Sequence, residues 1–336
     1  MNSRERKTIL VAGAVLAAGL FARRVRKDSL AGEVAIVTGG SRGLGYALAR
    51  ELLRCGCRVV ICARREDELR KAAEELSRYG EVVPVVCDVS KQQDVERLVN
   101  TANEYFGRVD ILVNNAGAIE VASVDVASLD DFRRMMDVMY WGTIYTSLAV
   151  LPQMRQRKHG RIVNITSIGG KISVPHLLPY SGAKFAAVGF SEGLHAEVAK
   201  DGVVVTTVVP GLMRTGSYRH ARFKGDIRNE FRWFAVASTM PGLSISAKRA
   251  ARQIVAAVRR RSREAIISAP AKLGVRVAGM IPGTVIALLA LIDRLLPHDS
   301  APVEASGIEA EWRIHSELLE KATALGRRAG RELNQV

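Results

Sequence analysis

Tyr180 and Lys184 stand four residues apart in a stretch with helical spacing, so their side chains share one face. A free phenol titrates near pH 10 and is only about 0.1% ionised at neutral pH, which makes it a poor base. An ammonium beside it stabilises the phenolate, and the tyrosine can then exchange a proton with an alcohol or carbonyl oxygen. Ser167 follows the β-branched run Ile162–Ile165, and its hydroxyl can hydrogen-bond the same oxygen. The chemistry on offer is proton transfer at a carbon–oxygen bond. A Tyr-x-x-x-Lys pair alone is more often structural, so its meaning depends on the elements that position it.

Those elements are regular from Glu33 onward. Apolar, β-branched runs occur at Val34–Val37, Val59–Cys62, Val82–Cys87, Ile111–Asn114, Ile162–Ile165, Val203–Val209 and Ala265–Ser268. Helical spacing fills the gaps. Leu44, Leu48 and Leu52 stand four apart, Leu69, Ala73 and Leu76 share a face before Gly80, and Ser128 with Asp131 spells a capping box. Seven apolar strands alternating with helices predict an α/β fold. It is a doubly wound, Rossmann-type parallel sheet with helices on both faces and helical extensions at its ends. The expected division is a basic, apolar segment 1–30, a catalytic domain 31–270, and an apolar hairpin with a charged tail, 271–336.

The first strand runs into Thr38-Gly39-Gly40-Ser41-Arg42-Gly43-Leu44-Gly45, and a helix follows at once. Glycines here permit positive φ and let the backbone approach a phosphate, while the helix start offers free N–H groups to negative charge. The spacing is Gly-x-x-x-Gly-x-Gly rather than GxGxxG. Gly39-x-Ser41-x-Gly43 also fits the nucleophile elbow of serine hydrolases, but no earlier loop exists to supply a second oxyanion donor. A P-loop needs Lys-Ser or Lys-Thr after its last glycine, and Tyr46-Ala47 stands there. The second strand ends Cys62-Ala63-Arg64-Arg65, with no carboxylate to accept ribose hydroxyls. Together with Arg42, Arg64 suits a 2′-phosphate, so NADP is expected over NAD.

The glycine turn, Asn114-Asn115-Ala116-Gly117, Ser167, Tyr180-Ser181-Gly182-Ala183-Lys184 and Pro210-Gly211 occur in an order and spacing that closely resemble the short-chain dehydrogenase/reductase family. The resemblance covers about residues 32–270. It implies a nicotinamide cofactor, hydride transfer to or from a substrate carbon, and Ser167, Tyr180 and Lys184 as the catalytic set. It further implies that Gly39, Ser41, Arg42, Gly43, Leu44, Gly45, Arg64, Asp88, Val89, Asn115, Tyr180, Lys184, Pro210, Gly211 and Thr215 bind the cofactor. Within that set Lys184 lowers the tyrosine pKa and holds the nicotinamide ribose. Asp88-Val89 meets the adenine edge, and Thr215 meets the nicotinamide amide. One position departs from the family: Met139 stands where an asparagine commonly serves a proton relay. A backbone carbonyl freed at a helix bend could carry the relay in its place.

Composition narrows the function classes. The 336 residues are 48% hydrophobic and 25% charged, which excludes disordered, collagen-like and coiled-coil chains. Aromatics are 5%, which counts against base stacking, and no nucleic-acid module is recognisable. Cys55, Cys57, Cys62 and Cys87 lie in apolar runs without metal-ligand spacing, and read as small buried hydrophobes in a reducing compartment. No metal is expected.

The net charge of +15 is concentrated in two places. Residues 1–30 carry seven basic against two acidic side chains, and residues 212–264 carry thirteen against three. The apolar stretch Thr8–Ala22 spans about 22 Å as a helix, short of a ~30 Å hydrocarbon core. It fits a short or tilted anchor, an interfacial helix or a signal peptide. Cleavage is the weakest of these, because the stretch runs straight into Arg23-Arg24-Val25-Arg26-Lys27, and the remaining alternative is a plain packed helix. Val277–Ile292 is apolar too, and Pro282-Gly283 breaks it into an interfacial or protein-covered hairpin. Between Leu212 and Met240, Tyr218, Phe223, Phe231, Trp233 and Phe234 alternate with arginines. That segment suits an anionic membrane surface or a lid packing its aromatics over the active site, and the two can hold together. Glu309–Arg331 reads as a solvated or loosely docked helix.

The expected function is an NADP(H)-dependent oxidoreductase that interconverts a lipophilic carbonyl compound and its alcohol. It is expected at a membrane surface with its catalytic domain in the cytoplasm, and a homo-oligomer is compatible with the family. The other class is a nicotinamide-binding scaffold or sensor with little turnover, motivated by Met139.

Overall fold

The computed structural model describes residues 29–298, 303–314 and 317–335, so Thr8–Ala22 lies outside the described residues. In chain order the strands are β1 (Val34–Thr38), β2 (Arg58–Ala63), β3 (Val82–Val86), β4 (Ile111–Asn114), β5 (Glu120–Val121) and β6 (Gly160–Ile165). After them come β7 (Val203–Pro210), β8 (Met213–Arg214), β9 (Arg222–Lys224), β10 (Ile245–Ser246), β11 (Glu264–Ile267) and β12 (Glu304–Ser306). The helices are α1 (Gly43–Arg54), α2 (Glu66–Leu76), α3 (Gln92–Phe106), α4 (Leu129–Met136), α5 (Gly142–Gln156) and α6 (Leu178–Val198). They continue as α7 (Ile227–Thr239), α8 (Ala247–Arg259), α9 (Ala269–Met280), α10 (Pro282–Asp293), α11 (Gly307–Arg313) and α12 (Glu317–Glu332).

The seven expected strands form one sheet in the order β3-β2-β1-β4-β6-β7-β11, every pair parallel. β1 is buried at all five positions, because helices cover both faces. That double coverage is why the central strands read as unbroken apolar runs rather than alternating ones. On one face Leu44, Leu48 and Leu52 of α1 pack with Ala250, Ile254 and Val258 of α8. On the other, Val95, Leu98 and Ala102 of α3 meet Val150, Leu151 and Met154 of α5. From β1 the chain builds outward through β2 and β3 and then returns to place β4 on the other side of β1. The carboxyl ends of β1 and β4 are therefore the switch point where open α/β sheets bind ligands in a crevice.

The rest of the chain folds onto that edge. β5, β9 and β12 make a three-stranded sheet, so residues from beyond position 300 pair with the segment after β7. Tyr218, Phe223, Phe231 and Phe234 are buried together with Ala305, Ala310 and Ile314. These four aromatics of Leu212–Met240 therefore pack inward, as the lid reading has it. Several of its basic residues are paired as well, Arg219 with Glu311, Arg222 with Glu304, and Lys224 with Asp131.

The tail is also docked rather than solvated. Thr239 Oγ1 donates to the Ala322 carbonyl, and Gly216 and Gly330 approach so closely that a Cβ on Gly216 would lie 2.8 Å from Gly330 Cα. Glycine on both sides is what allows the contact.

α9 and α10 form the expected hairpin, bent by 117° at Ile281, and no single helix among the described residues is long and apolar enough to cross a membrane. α10 has no buried residue, so the protein-covered version of that expectation is not what forms.

Candidate active site

Four strand ends converge at the crevice. The turn after β1 is held by the motif after β4: Thr38 Oγ1 accepts from the Asn115 and Ala116 N–H groups at 2.9 and 3.0 Å. Asn115 Nδ2 donates back to the Thr38 and Gly39 carbonyls at 3.0 and 3.3 Å. Gly39 and Gly43 adopt φ of +64° and +59°, which a side chain would resist. α1 then starts without a side-chain cap and without an acidic residue in its first turn. An uncapped helix start beneath a glycine turn suits a diphosphate, which its N–H groups and dipole attract.

The ribose side of the crevice is cationic. Arg42 Nη1 lies 3.3 Å from Glu68 Oε2 and 3.2 Å from His220 Nδ1, and Arg65 reaches the same Glu68 at 3.0 Å. Arg64 is exposed at the end of β2, and among the described residues it has no ion-pair partner. Burial first, and then Arg42, push His220 down to about 4, so this imidazole is neutral beside the guanidinium at physiological pH. Asp88 is fixed by Ser90, whose N–H and hydroxyl donate to its Oδ1 at 3.1 and 2.8 Å. Val89 is buried against Gly142, where an added Cβ would sit 2.9 Å from Val89 Cγ2.

Ser167, Tyr180 and Lys184 come together as expected. The Ser167 hydroxyl accepts from the Gly169 N–H at 3.0 Å, and Ser167 sits close enough to Tyr180 to lower its pKa. Gly169 passes so close to the ring that a Cβ there would be 3.0 Å from Tyr180 Cε1, and a Cβ on Gly170 would be 2.7 Å from the Lys184 carbonyl. Lys184 Nζ donates to the Ile165 carbonyl at 2.9 Å and lies 5.8 Å from the Tyr180 ring centroid. Burial draws the lysine down to about 8. Tyr180 is held above the ordinary phenol value by burial, opposed by the Ser167 hydrogen bond. The expected lowering of the tyrosine by Lys184 is therefore not met in the protein alone, because the ammonium is directed at Ile165. A protonated phenol beside a serine hydroxyl is arranged to donate to a carbonyl oxygen.

Pro210 closes β7, and the Gly211 N–H bonds the Ile267 carbonyl at 3.1 Å. Thr215 is buried, its hydroxyl accepting from the Ser217 N–H at 3.2 Å. Met139 is buried against Met135, Ala183 and the Tyr180 ring, inside a π-helical turn over Asp137–Trp141. The Met139 carbonyl in that turn accepts from Thr143 Oγ1 at 2.8 Å.

A buried polar chain anchors this geometry, and reading the sequence missed it. Asn114 Nδ2 donates to Asn164 Oδ1 at 2.9 Å, Asn164 Nδ2 to Ser191 Oγ at 3.0 Å, and Thr207 Oγ1 to Ser191 Oγ at 2.7 Å. It ties β4, β6 and β7 to α6, the helix that carries Tyr180 and Lys184. Asn164→Ala breaks the link between Asn114 and Ser191, each of which keeps one other partner (Ser147 and Thr207), and is expected to cost about 2 kcal/mol, read as a lower urea midpoint with an unchanged slope.

The comparisons with known proteins agree with this geometry. Residues 33–224 match the family described as short chain dehydrogenase. Oxidoreductase BOA17 of Botryotinia fuckeliana is 40% identical over 179 residues, 53% of this chain and 65% of that protein. A dehydrogenase/reductase SDR family protein 7-like from Anopheles gambiae is 40% identical over 192 residues, 55% of this chain and 61% of its own length. An uncharacterized oxidoreductase of Staphylococcus aureus is 36% identical over 187 residues, covering 55% of this chain and 80% of that one. The chain thus spans somewhat less than two thirds of the first two relatives. The matched region holds the glycine turn, the Asn115 latch and the Ser167–Tyr180–Lys184 cluster, and by that match this chain belongs to the short chain dehydrogenase family of oxidoreductases.

Proposed function

We propose that this protein is an NADP(H)-dependent oxidoreductase that reduces a lipophilic carbonyl compound to its alcohol. The observation that carries the reading is the pairing of a protonated Tyr180 with Ser167 at the mouth of a glycine-turn crevice. Members of the family bind a nicotinamide dinucleotide, which when bound supplies the hydride. Ser167 and Tyr180 orient the carbonyl oxygen by hydrogen bonds, and Tyr180 gives it a proton as the carbon gains hydride. Lys184 holds positive charge behind the phenol and stabilises the phenolate left after transfer. Arg42, Arg64 and Arg65 favour a 2′-phosphate, since the strand end at Ala63 offers ribose hydroxyls no carboxylate.

The lipophilic part of the reading rests on α9 and α10. Leu273, Met280, Ile286, Leu288, Leu291 and Leu295 are all more than half exposed along this hairpin. Exposed Lys272, Arg276 and Arg294 accompany them, which suits an anionic bilayer surface. α9 lies over the loop after Ser167: a Cβ on Gly274 would be 3.5 Å from Ile172 and 3.6 Å from Ile168. Asp293 at the end of α10 lies 3.6 Å from His176, which pairs in turn with Glu230 on α7 at 2.5 Å. A membrane-seated hairpin thus abuts the substrate side of the crevice. Leu288→Asp with Leu291→Asp is expected to weaken co-sedimentation with phosphatidylserine-containing vesicles at least tenfold, roughly, while leaving turnover of a water-soluble ketone intact.

Purified protein tested with NADPH against a panel of aliphatic, aromatic and polycyclic ketones is expected to consume NADPH with the most apolar of them. Absence of turnover across the panel, with dinucleotide bound, would instead favour the scaffold reading. A pH profile gives a second check. Turnover is expected to fall as pH rises through about 8, where Lys184 loses its proton. The stability sign runs the other way. Between that value and the unfolded lysine's ordinary one the unfolded chain holds the extra proton, so Lys184 adds stability as pH rises through the window and removes it as pH falls.

A further inference from the structure

α12 ends in a turn that lands on the glycine-rich segment. The Leu333 and Gln335 N–H groups bond the Gly330 carbonyl at 3.2 and 2.9 Å, and Asn334 takes φ +55°, a left-handed position that asparagine tolerates. This turn directs three groups at residues 41–43. The Leu333 carbonyl accepts from the Gly43 N–H at 2.8 Å. The Asn334 side-chain amide donates to the Ser41 carbonyl at 2.9 Å and the Glu68 carbonyl at 3.3 Å. The Gln335 amide covers Gly43 directly: a Cβ on that glycine would lie 2.3 Å from Gln335 Nε2.

Gly43 is the first residue of α1, so its N–H is one of the donors a helix start leaves free. That donor faces the place where a diphosphate gains most from the helix dipole. A neutral carbonyl from the far end of the chain occupies it here. The occupant fits poorly in one respect: Gln335 Oε1 is buried with no hydrogen-bond partner. Release of the segment to water would satisfy it. The segment is also coupled to the cover of the crevice. Gly326 packs on Tyr218 and Thr239, Gly330 on Gly216, and Arg219 Nη1 donates to the Gln335 carbonyl at 3.4 Å.

We infer that Leu333–Gln335 is an intramolecular plug of the dinucleotide cradle, seated on Gly43 and displaced when the diphosphate binds. The inference rests on the reading of the glycine turn as a dinucleotide site. The apparent dissociation constant then equals the intrinsic one divided by the fraction of molecules with the plug out. Dinucleotide binding and plug release are therefore one coupled equilibrium. Asn334 also reaches the Glu68 carbonyl on α2, but the cradle at Gly43 that the plug covers serves the diphosphate common to both dinucleotides, so it weakens NADPH and NADH alike.

The test is calorimetric titration of NADPH and NADH into the full chain, into Asn334→Ala/Gln335→Ala, and into a variant lacking residues 333–336. Hydrogen exchange of residues 330–335 is followed with and without NADPH, and thermal unfolding checks that each variant is folded. Both variants are expected to bind both dinucleotides more tightly, roughly tenfold for the deletion. Residues 330–335 of the full chain are expected to exchange faster once NADPH saturates it. Equal affinities with unchanged exchange overturn the plug and leave the dinucleotide site standing. Weaker binding by the variants overturns it too, because the segment then forms a wall of the site. If neither the parent nor a folded variant binds any dinucleotide, the reading of the turn itself fails, and the plug with it.

Discussion

Tyr180→Phe is expected to lower carbonyl reduction about a thousandfold or more and to change dinucleotide affinity far less. The substitution removes one oxygen and nothing else from a ring packed against Gly169 and Met139, so the fold around it has no reason to move. What disappears is the proton that must reach the carbonyl oxygen as hydride arrives at carbon. Burial keeps that proton on the phenol at neutral pH, and the Ser167 hydroxyl beside it is placed to bind the same carbonyl oxygen. Ser167→Ala removes that contact but leaves the acid, so its loss is expected to be smaller, about a hundredfold. The measurement is kcat for NADPH-dependent reduction set beside a binding titration on the same protein samples. Retention of activity within about tenfold by the phenylalanine variant would mean another acid serves the carbonyl.

Gly45→Val is expected to be the most damaging single change at the glycine turn. A Cβ at this position would stand 2.1 Å from the Gly39 carbonyl oxygen and 2.5 Å from Asn115 Nδ2. Neither neighbour is a flexible side-chain end. The first is backbone, and the second is held by hydrogen bonds to Thr38 and Gly39. The turn and its latch must therefore separate, at a cost of about 3 kcal/mol or more. A urea unfolding curve reads that loss, and dinucleotide affinity is expected to fall with it. Gly182→Ala is the contrast. It lies within the Tyr180–Lys184 segment, yet a Cβ there meets nothing within 4 Å, and the helix is expected to gain up to about 1 kcal/mol. If the two variants had similar stabilities, the close approach at Gly45 would not be what glycine is there for.

The sheet was legible because strands covered on both faces cannot alternate, and runs such as Val34–Val37 and Val203–Val209 announce themselves as continuous apolar stretches. The catalytic set was legible because its members occur in short, separated motifs whose order could be matched. Other features depend on partners far away in sequence, and these stayed hidden. Asn114, Asn164, Ser191 and Thr207 are ordinary polar residues until the sheet brings them into one buried chain. Tyr218, Phe223 and Phe231 look the same in sequence whether they face lipid or protein, and only Ala305 and Ile314 decide for the interior. Asn334 marks a helix end in sequence, but not that this end would meet Gly43. The Tyr180 shift escaped for a different reason. Spacing puts Lys184 on the right face of α6 but does not say that its ammonium is bound to Ile165.

The proposed preference of this crevice for NADP(H), through the arginines gathered where β2 ends, is open to direct measurement. Equilibrium binding of NADPH and NADH should be measured on the full chain and on Arg64→Asp. NADPH is expected to bind the parent more tightly than NADH, and the substitution is expected to weaken NADPH at least tenfold, roughly, with little effect on NADH. A parent that prefers NADH, or an Arg64→Asp variant that keeps the NADPH preference, would contradict the account.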